Sequence, residues 1–287
     1  MRTELVHASE LLRENTPEAI EEAIGLLQNT VFSFSMKMCG HRQDAEDTAQ
    51  EVLFRSLKHL SKLDSPNALA AWLYTVARNR CHRMRRKPIE STGKNLSLDD
   101  LIPGDEELRS LLVAAERGPE DAAIRGEQNQ LLHKAVLRIP TSLRMVLVLH
   151  DMEELDSEQI AKVLGLQVGT VRVRLHRARL AVRKEMACLL RGASVQKPKS
   201  ERAKISRPAG CRELFANLSE YLDARVEART CDQMRAHIEA CPACVAFIKD
   251  LRAAIDRCHS FEVACDPKVA GRMRALMTQE YLRLMAR

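Results

Sequence analysis

The sequence predicts an all-α protein of several small domains, and three observations carry that expectation. Aromatic residues make up only 3% of the chain and charged residues 29%. Leu, Ala, Arg and Glu are frequent while strongly β-branched runs are few, a balance that favours helix over sheet. Apolar residues recur at helical spacing over 17–87 and again over 126–190. At 287 residues the chain exceeds a single core, since one domain runs to roughly 100–150 residues.

Composition also narrows the function. No apolar run approaches the roughly 18 residues needed to span a bilayer, and "MRTELVHASE" lacks the basic and apolar regions of a signal peptide. The expectation is a cytoplasmic protein with no membrane partner. The nine cysteines are odd in number, which fits thiols or metal ligands better than a disulfide framework. The net charge of +6 conceals a segregation: residues 89–125 carry nine acids against four bases, whereas 170–191 carry seven bases against Glu185 alone. A concentrated basic element points to a polyanion.

The first helical stretch ends at "KPIESTG", because Pro88 disfavours helix at the residue before it. This sets a first domain at 1–88, followed by an acidic linker at 89–125 with one short helix expected around Glu106 to Glu116. A second helical domain covers 126–190. The basic, proline-containing stretch 191–210 has no large apolar face and reads as a tether. A small C-terminal domain follows at 211–287, with Asp266-Pro267 as cap and first turn of a last helix.

Within the second domain, "LDSEQIAKVLGLQVGTVRVRLHRAR" lets Asp156 cap a helix with Gln159 returning the bond, and Gly165 permits a tight turn. Thr170 opens a second helix whose Val171, Leu175, Ala178 and Val182 form the packed stripe. Arg172, Val173, His176 and Arg177 then share the outward side, and Arg174, Arg179 and Arg183 flank the stripe. This is the pattern of a helix-turn-helix, whose second helix enters the major groove and whose arginines reach phosphates or guanine edges. Residues 172, 173, 174, 176, 177 and 179 are the DNA-binding candidates. An ordinary hairpin with a solvated basic face is the bland alternative, but charge of one sign repels itself unless a polyanion lies near.

The stretch from "LRIPTSLRMVLVLHDMEEL" through "RVRLHRAR" resembles region four of an extracytoplasmic-function (ECF) sigma factor, which reads the promoter −35 element. Family members often carry a small polar residue where this chain has Val173. A valine contacts a thymine methyl but makes no hydrogen bond, so the −35 preference is expected to differ.

In the first domain, "HRQDAEDTAQEVLFRSLKHL" puts Ala45, Ala49, Val52 and Ser56 on one helix face and Asp47, Gln50, Glu51 and Phe54 on the other. An exposed Phe among acids invites a partner, although a solvated face steadied by pairs such as Glu51 with Arg55 reads the same way. "DAEDTAQEVLFRSL" is similar to sigma region two, and the resemblance implies that this face grips the clamp coiled coil of the RNA polymerase β′ subunit. The next helix, "NALAAWLYTVARNRCHRMRRK", combines aromatics with a basic track suited to single-stranded DNA. Trp72 reads as core, and Asn79, Arg80 and Arg83, with the loop from Ser61 to Asn67, are the candidates for the −10 element.

In "MRAHIEACPAC", His237 and Cys241 are four apart on one helical face with Cys244 three further on, so three ligands can converge on a tetrahedral metal. The residues leave the fourth ligand open between Cys211 and Cys231. The module resembles the zinc-binding anti-sigma domain, which places a Cys well upstream of His-x3-Cys-x2-Cys; by that pattern Cys211 completes a site for one Zn²⁺. Three cysteines and a histidine make a closed site, structural or redox-sensing and not hydrolytic, so no enzyme is expected.

Together these features predict two helical sigma domains joined by an acidic linker, plus a small helical zinc-binding domain modulating them in cis by contact with the sigma domains. The rival reading is a duplex-DNA-binding regulator with a helix-turn-helix and a structural zinc module, independent of core polymerase.

Overall fold

The structure is a computed structural model and describes residues 2–60, 62–63, 65–84, 98–103, 107, 124–190, 218, 221–223, 232–236, 238 and 241–285. Among them there are helices and no strand. The helices run α1 Thr3–Glu14, α2 Pro17–Cys39, α3 Arg42–Leu60, α4 Pro66–Met84, α5 Leu98–Leu101, α6 Ile124–Arg138 and α7 Thr141–Leu147. A π-helical turn, Val148–Met152, leads to α8 Ser157–Leu164, α9 Val168–Leu190, α10 Pro242–His259 and α11 Pro267–Met285. The short helix expected around Glu106 to Glu116 lies, except for the helical Glu107, outside the described residues. No helix among the described residues is long and apolar enough to cross a membrane.

The chain divides into two compact units, the first made of Met1–Ser91, Val148–Val171 and Phe261–Arg287, the second of Thr92–Leu147 and Arg172–Ser260. Residues 126–190 and 211–287, each expected as one domain, are therefore both shared between units.

In the first unit, Thr16 caps α2 by accepting from the Ala19 amide at 3.2 Å, Pro17 occupies the first turn, and Gly40 ends the helix at φ 76°. α2 shows Glu18, Glu21, Glu22 and Asn29 to solvent in its first half and is buried on nearly every side from Thr30 to Cys39. Ile20, Ile24, Leu27 and Phe34 are buried along it against α1, α3, α4 and α11. α1 was not expected from the sequence; Leu5, Ala8 and Leu11 bury its inner face. α11 begins as expected, with the Asp266 carboxylate accepting from the Lys268 amide at 2.9 Å. It runs close to α2 at Gly25, where an added Cβ would meet the Arg274 side chain at 3.3 Å.

A charged cluster lies inside this unit. Glu153 follows the π-helical turn, in which its amide donates to the Val148 carbonyl at 2.9 Å, and its side chain is wholly buried. Lys37 Nζ and the Tyr74 hydroxyl each donate to it at 2.8 Å, and Arg2 Nε lies 3.4 Å away. Burial lowers the Lys37 pKa against the pull of Glu153, and burial with the adjacent carboxylate pushes the Tyr74 hydroxyl well up.

In the second unit, Arg144 is fully buried and donates to the Leu137 and Ile139 carbonyls, satisfying the open end of α6. α6 packs on α10.

Candidate nucleic-acid and partner-binding surfaces

Ala45, Ala49, Val52 and Ser56 are all fully buried, which turns the opposite face of α3 outward. Asp47 and Gln50 are exposed, Phe54 is 52% exposed and Glu51 is half-buried. Glu51 pairs with Arg55 at 2.6 Å and with Arg80 at 2.7 Å. The basic track of α4 and the acidic face of α3 are thus joined by one carboxylate. Asn79 is exposed and its Oδ1 accepts from Arg78, whose other guanidinium nitrogen donates to the Val163 carbonyl at 2.7 Å. The Arg83 side chain, like Ser61 and Asp64 of the preceding loop, lies outside the described residues. Trp72 is half-buried, donating to Ser56 Oγ at 3.2 Å and leaning on His59 with ring centroids 4.3 Å apart, in keeping with a packing role.

The turn before α9 is built as its residues require. Asp156 accepts from the amides of Glu158 and Gln159, Gln159 returns a bond to the Asp156 amide at 2.9 Å, and Gly165 takes the left-handed φ of 66°. α9 starts at Val168, two residues before the expected Thr170. Val171, Leu175, Ala178 and Val182 form the buried stripe, Arg172 and Val173 are exposed, and Arg174 and Arg177 are half-buried.

His176, expected on the outward side, and Arg179, expected at the flank of the packed stripe, are both buried. His176 is 8% exposed and Arg179 only 1%. With Arg183, also buried, they follow i, i+3, i+7, a second stripe that faces protein beside the first. Arg179 Nη1 meets Asp223 Oδ1 at 2.9 Å. Arg183 pairs with Glu107 and, at 3.3 Å, with Asp250, and its guanidinium lies 4.5 Å from the Phe247 ring centroid. Asp223, Phe247 and Asp250 are the functional neighbours that sequence reasoning missed. They lie 44 to 67 positions from their arginines, and no local signal marks such pairs.

Of the proposed zinc ligands, Cys211 and His237 lie outside the described residues, as does Cys231. Cys241 stands at the N-cap of α10 and Cys244 in its first turn, 1% exposed, with the Cys244 amide donating to the Cys241 carbonyl at 3.0 Å. Two thiols on one turn at a helix N-terminus, where backbone N–H groups favour negative charge, suit thiolate ligation. Among the described residues no group of three His, Cys, Asp or Glu is gathered as a metal site.

Three family models match the chain: "Sigma-70 region 2" over 24–88, "Sigma-70, region 4" over 129–182, and "Putative zinc-finger" over 211–244. The "ECF RNA polymerase sigma factor SigW" of Bacillus subtilis is 30% identical over 178 residues, 61% of this chain and 92% of that protein. This chain belongs to the ECF sigma factor family. The "RNA polymerase sigma-H factor" of Pseudomonas aeruginosa is 31% identical over 172 residues, 58% of this chain and 85% of the relative. The "ECF RNA polymerase sigma-E factor" of Escherichia coli K12 is 27% identical over 152 residues, 52% and 76% respectively. Sigma factors are non-enzymatic initiation factors that bind core RNA polymerase and promoter DNA. The region-two match removes the rival reading of a regulator that works without polymerase. The zinc-finger match supports a zinc-binding C-terminal domain on this ECF sigma factor.

Proposed function

We propose that α3 docks this ECF sigma factor on the β′ clamp through Asp47, Gln50, Glu51 and Phe54. In this reading α4, with Asn79, Arg80 and Arg83, meets the −10 element, and α9 reads the −35 element through Arg172, Val173, Arg174 and Arg177. Arg179 joins them once its pair with Asp223 is released, while the buried His176 supports the helix from behind. Residues 1–88 and 126–190 are the two sigma domains, 89–125 and 191–210 their connections, and 211–287 the C-terminal regulatory extension. One Zn²⁺ held by Cys211, His237, Cys241 and Cys244 would tie the small helices of this extension together, and the protein works in the cytoplasm.

The cis-acting part rests on one observation: Asp223 and Asp250, both from the C-terminal extension, hold Arg179 and Arg183 of the DNA-reading helix. Carboxylates occupying guanidiniums stand where phosphates or guanine edges would otherwise bind. The extension therefore restrains α9, and release of these pairs frees Arg179 for DNA.

The deciding experiment is promoter-dependent run-off transcription with core polymerase, comparing the full chain, residues 1–195, and Asp223→Asn/Asp250→Asn. The substituted full chain is expected to bind −35 DNA more tightly than the parent. Equal DNA affinity and equal transcription by all three would remove the regulatory reading and leave the sigma assignment standing.

A further inference from the structure

We propose that α11 forms the second wall of the polymerase-docking groove, α3 forming the first, and that the occupant is an amphipathic helix of the polymerase clamp carrying basic and apolar side chains. The inference rests on the reading of α3 as the polymerase-binding face and adds to it a part of the chain outside both sigma regions.

A groove of about 400 Å³ runs between the two helices, lined by Asp47, Glu51 and Phe54 from α3 and by Leu276, Met277 and Glu280 from α11. Phe54 and Leu276 are large apolar side chains exposed to 52% and 51%, and they come from different elements to the same groove. Apolar side chains that converge within a polar rim mark an interaction surface more strongly than a single exposed one. Of the three carboxylates in the lining, Glu51 is already held by Arg55 and Arg80 and Glu280 lies 3.9 Å from Arg283, so Asp47, exposed beside Phe54, is the acid that selects a partner bearing lysine or arginine. Asp47 to Phe54 spans seven residues, about 10 Å of helix axis at 1.5 Å per residue, so the groove accepts roughly two turns of a partner helix. The basic stretch 191–210 has the right charge, but it lacks the large apolar face that Phe54 and Leu276 require.

The geometry makes α11 a wall and not a lid. A helix shielding the α3 face would bury Phe54, whereas Phe54 keeps half of its surface with α11 docked. α11 is anchored below the groove by Met273, Met277 and Tyr281, all buried, which leaves Leu276 and Glu280 to present to a partner. The extension thus acts in two senses: Asp223 and Asp250 hold the DNA-reading helix, while α11 enlarges the surface offered to polymerase.

The test is the affinity of the full-length chain for core polymerase, with Phe54→Ala, Leu276→Glu and Glu280→Lys measured beside the parent. Each substitution is expected to weaken binding by about tenfold, the loss of a residue contributing somewhat more than 1 kcal/mol to an interface. Leu276 is half exposed and Glu280 lies at the rim, so helix content by circular dichroism should be unchanged; if Leu276→Glu loses it, Glu280→Lys decides. Weakening by Phe54→Ala with unchanged or tighter binding in the α11 variants would overturn the inference and preserve the α3 reading. Unchanged binding in Phe54→Ala and in Asp47→Lys would overturn the α3 reading itself.

Discussion

Lys37 Nζ donates to Glu153 Oε1 across 2.8 Å, and both side chains are wholly buried. Taking two charges out of water costs several kcal/mol each, and only a close, fully bonded arrangement offsets it. Here the Tyr74 hydroxyl occupies the second carboxylate oxygen and Arg2 closes the cluster. Glu153→Gln keeps the shape but leaves the lysine charge unpaired, so the first unit should lose about 3–5 kcal/mol. Trp72, the chain's one tryptophan, reports that unit in urea unfolding. A loss below about 1 kcal/mol, the level of an exposed pair, would contradict the buried arrangement.

Arg177 is half-buried on the side of α9 next to the exposed Arg172 and Val173. Arg177→Ala should weaken promoter binding by about 1–3 kcal/mol if it contacts a base, with core-polymerase affinity unchanged. Footprinting on a −35 site checks this, and an unaltered footprint counts against the assignment.

Much of this architecture was legible in the sequence because its signals are local. Asp156 with Gln159, Gly165, and Asp266-Pro267 each fix a helix end through neighbours within a few residues, and the α3 faces follow from the helical period alone. What stayed hidden depends on contacts distant in sequence. The stripe His176, Arg179 and Arg183 looks like a solvated basic face until Asp223 and Asp250 are brought against it. The π-helical turn at Val148–Met152 shifts the register that a 3.6-residue period assumes, and Glu153 reads as one more surface acid in "HDMEELD". Leu276 could be placed on a helix, but its convergence with Phe54 could not.

The zinc site is checked by metal content of single variants. Cys211→Ser, Cys241→Ser and Cys244→Ser should each lose bound zinc, and Cys231→Ser should retain it. Because metal binding is coupled to folding in such small modules, the first three should also lose helix content. Full occupancy in Cys211→Ser with loss in Cys231→Ser would transfer the fourth ligand to Cys231.

Glu185 supplies a pH test. Burial raises its pKa above the ordinary 4.5, against the opposing pull of Arg138 and Lys184. A carboxyl whose folded pKa is raised binds its proton more tightly in the native state, so its contribution falls as pH rises through the ordinary value toward the raised one. Relative to the parent, Glu185→Gln should therefore gain stability as pH rises past the ordinary 4.5, read as a shift in urea midpoint. A difference independent of pH would show that Glu185 titrates as it does in the unfolded chain.

The first unit draws on three separated pieces of chain, with α11 completing what α2 and α3 begin. On the ribosome α11 is made some 200 residues after α3, an interval of about 10–40 s at 5–20 residues per second. Throughout that interval the surface that Met273, Met277 and Tyr281 will cover is open to chaperones and to other nascent chains. A newly made molecule therefore passes through a stage with its region-two helices assembled and their α11 docking site bare. Such long-range closure also slows spontaneous refolding.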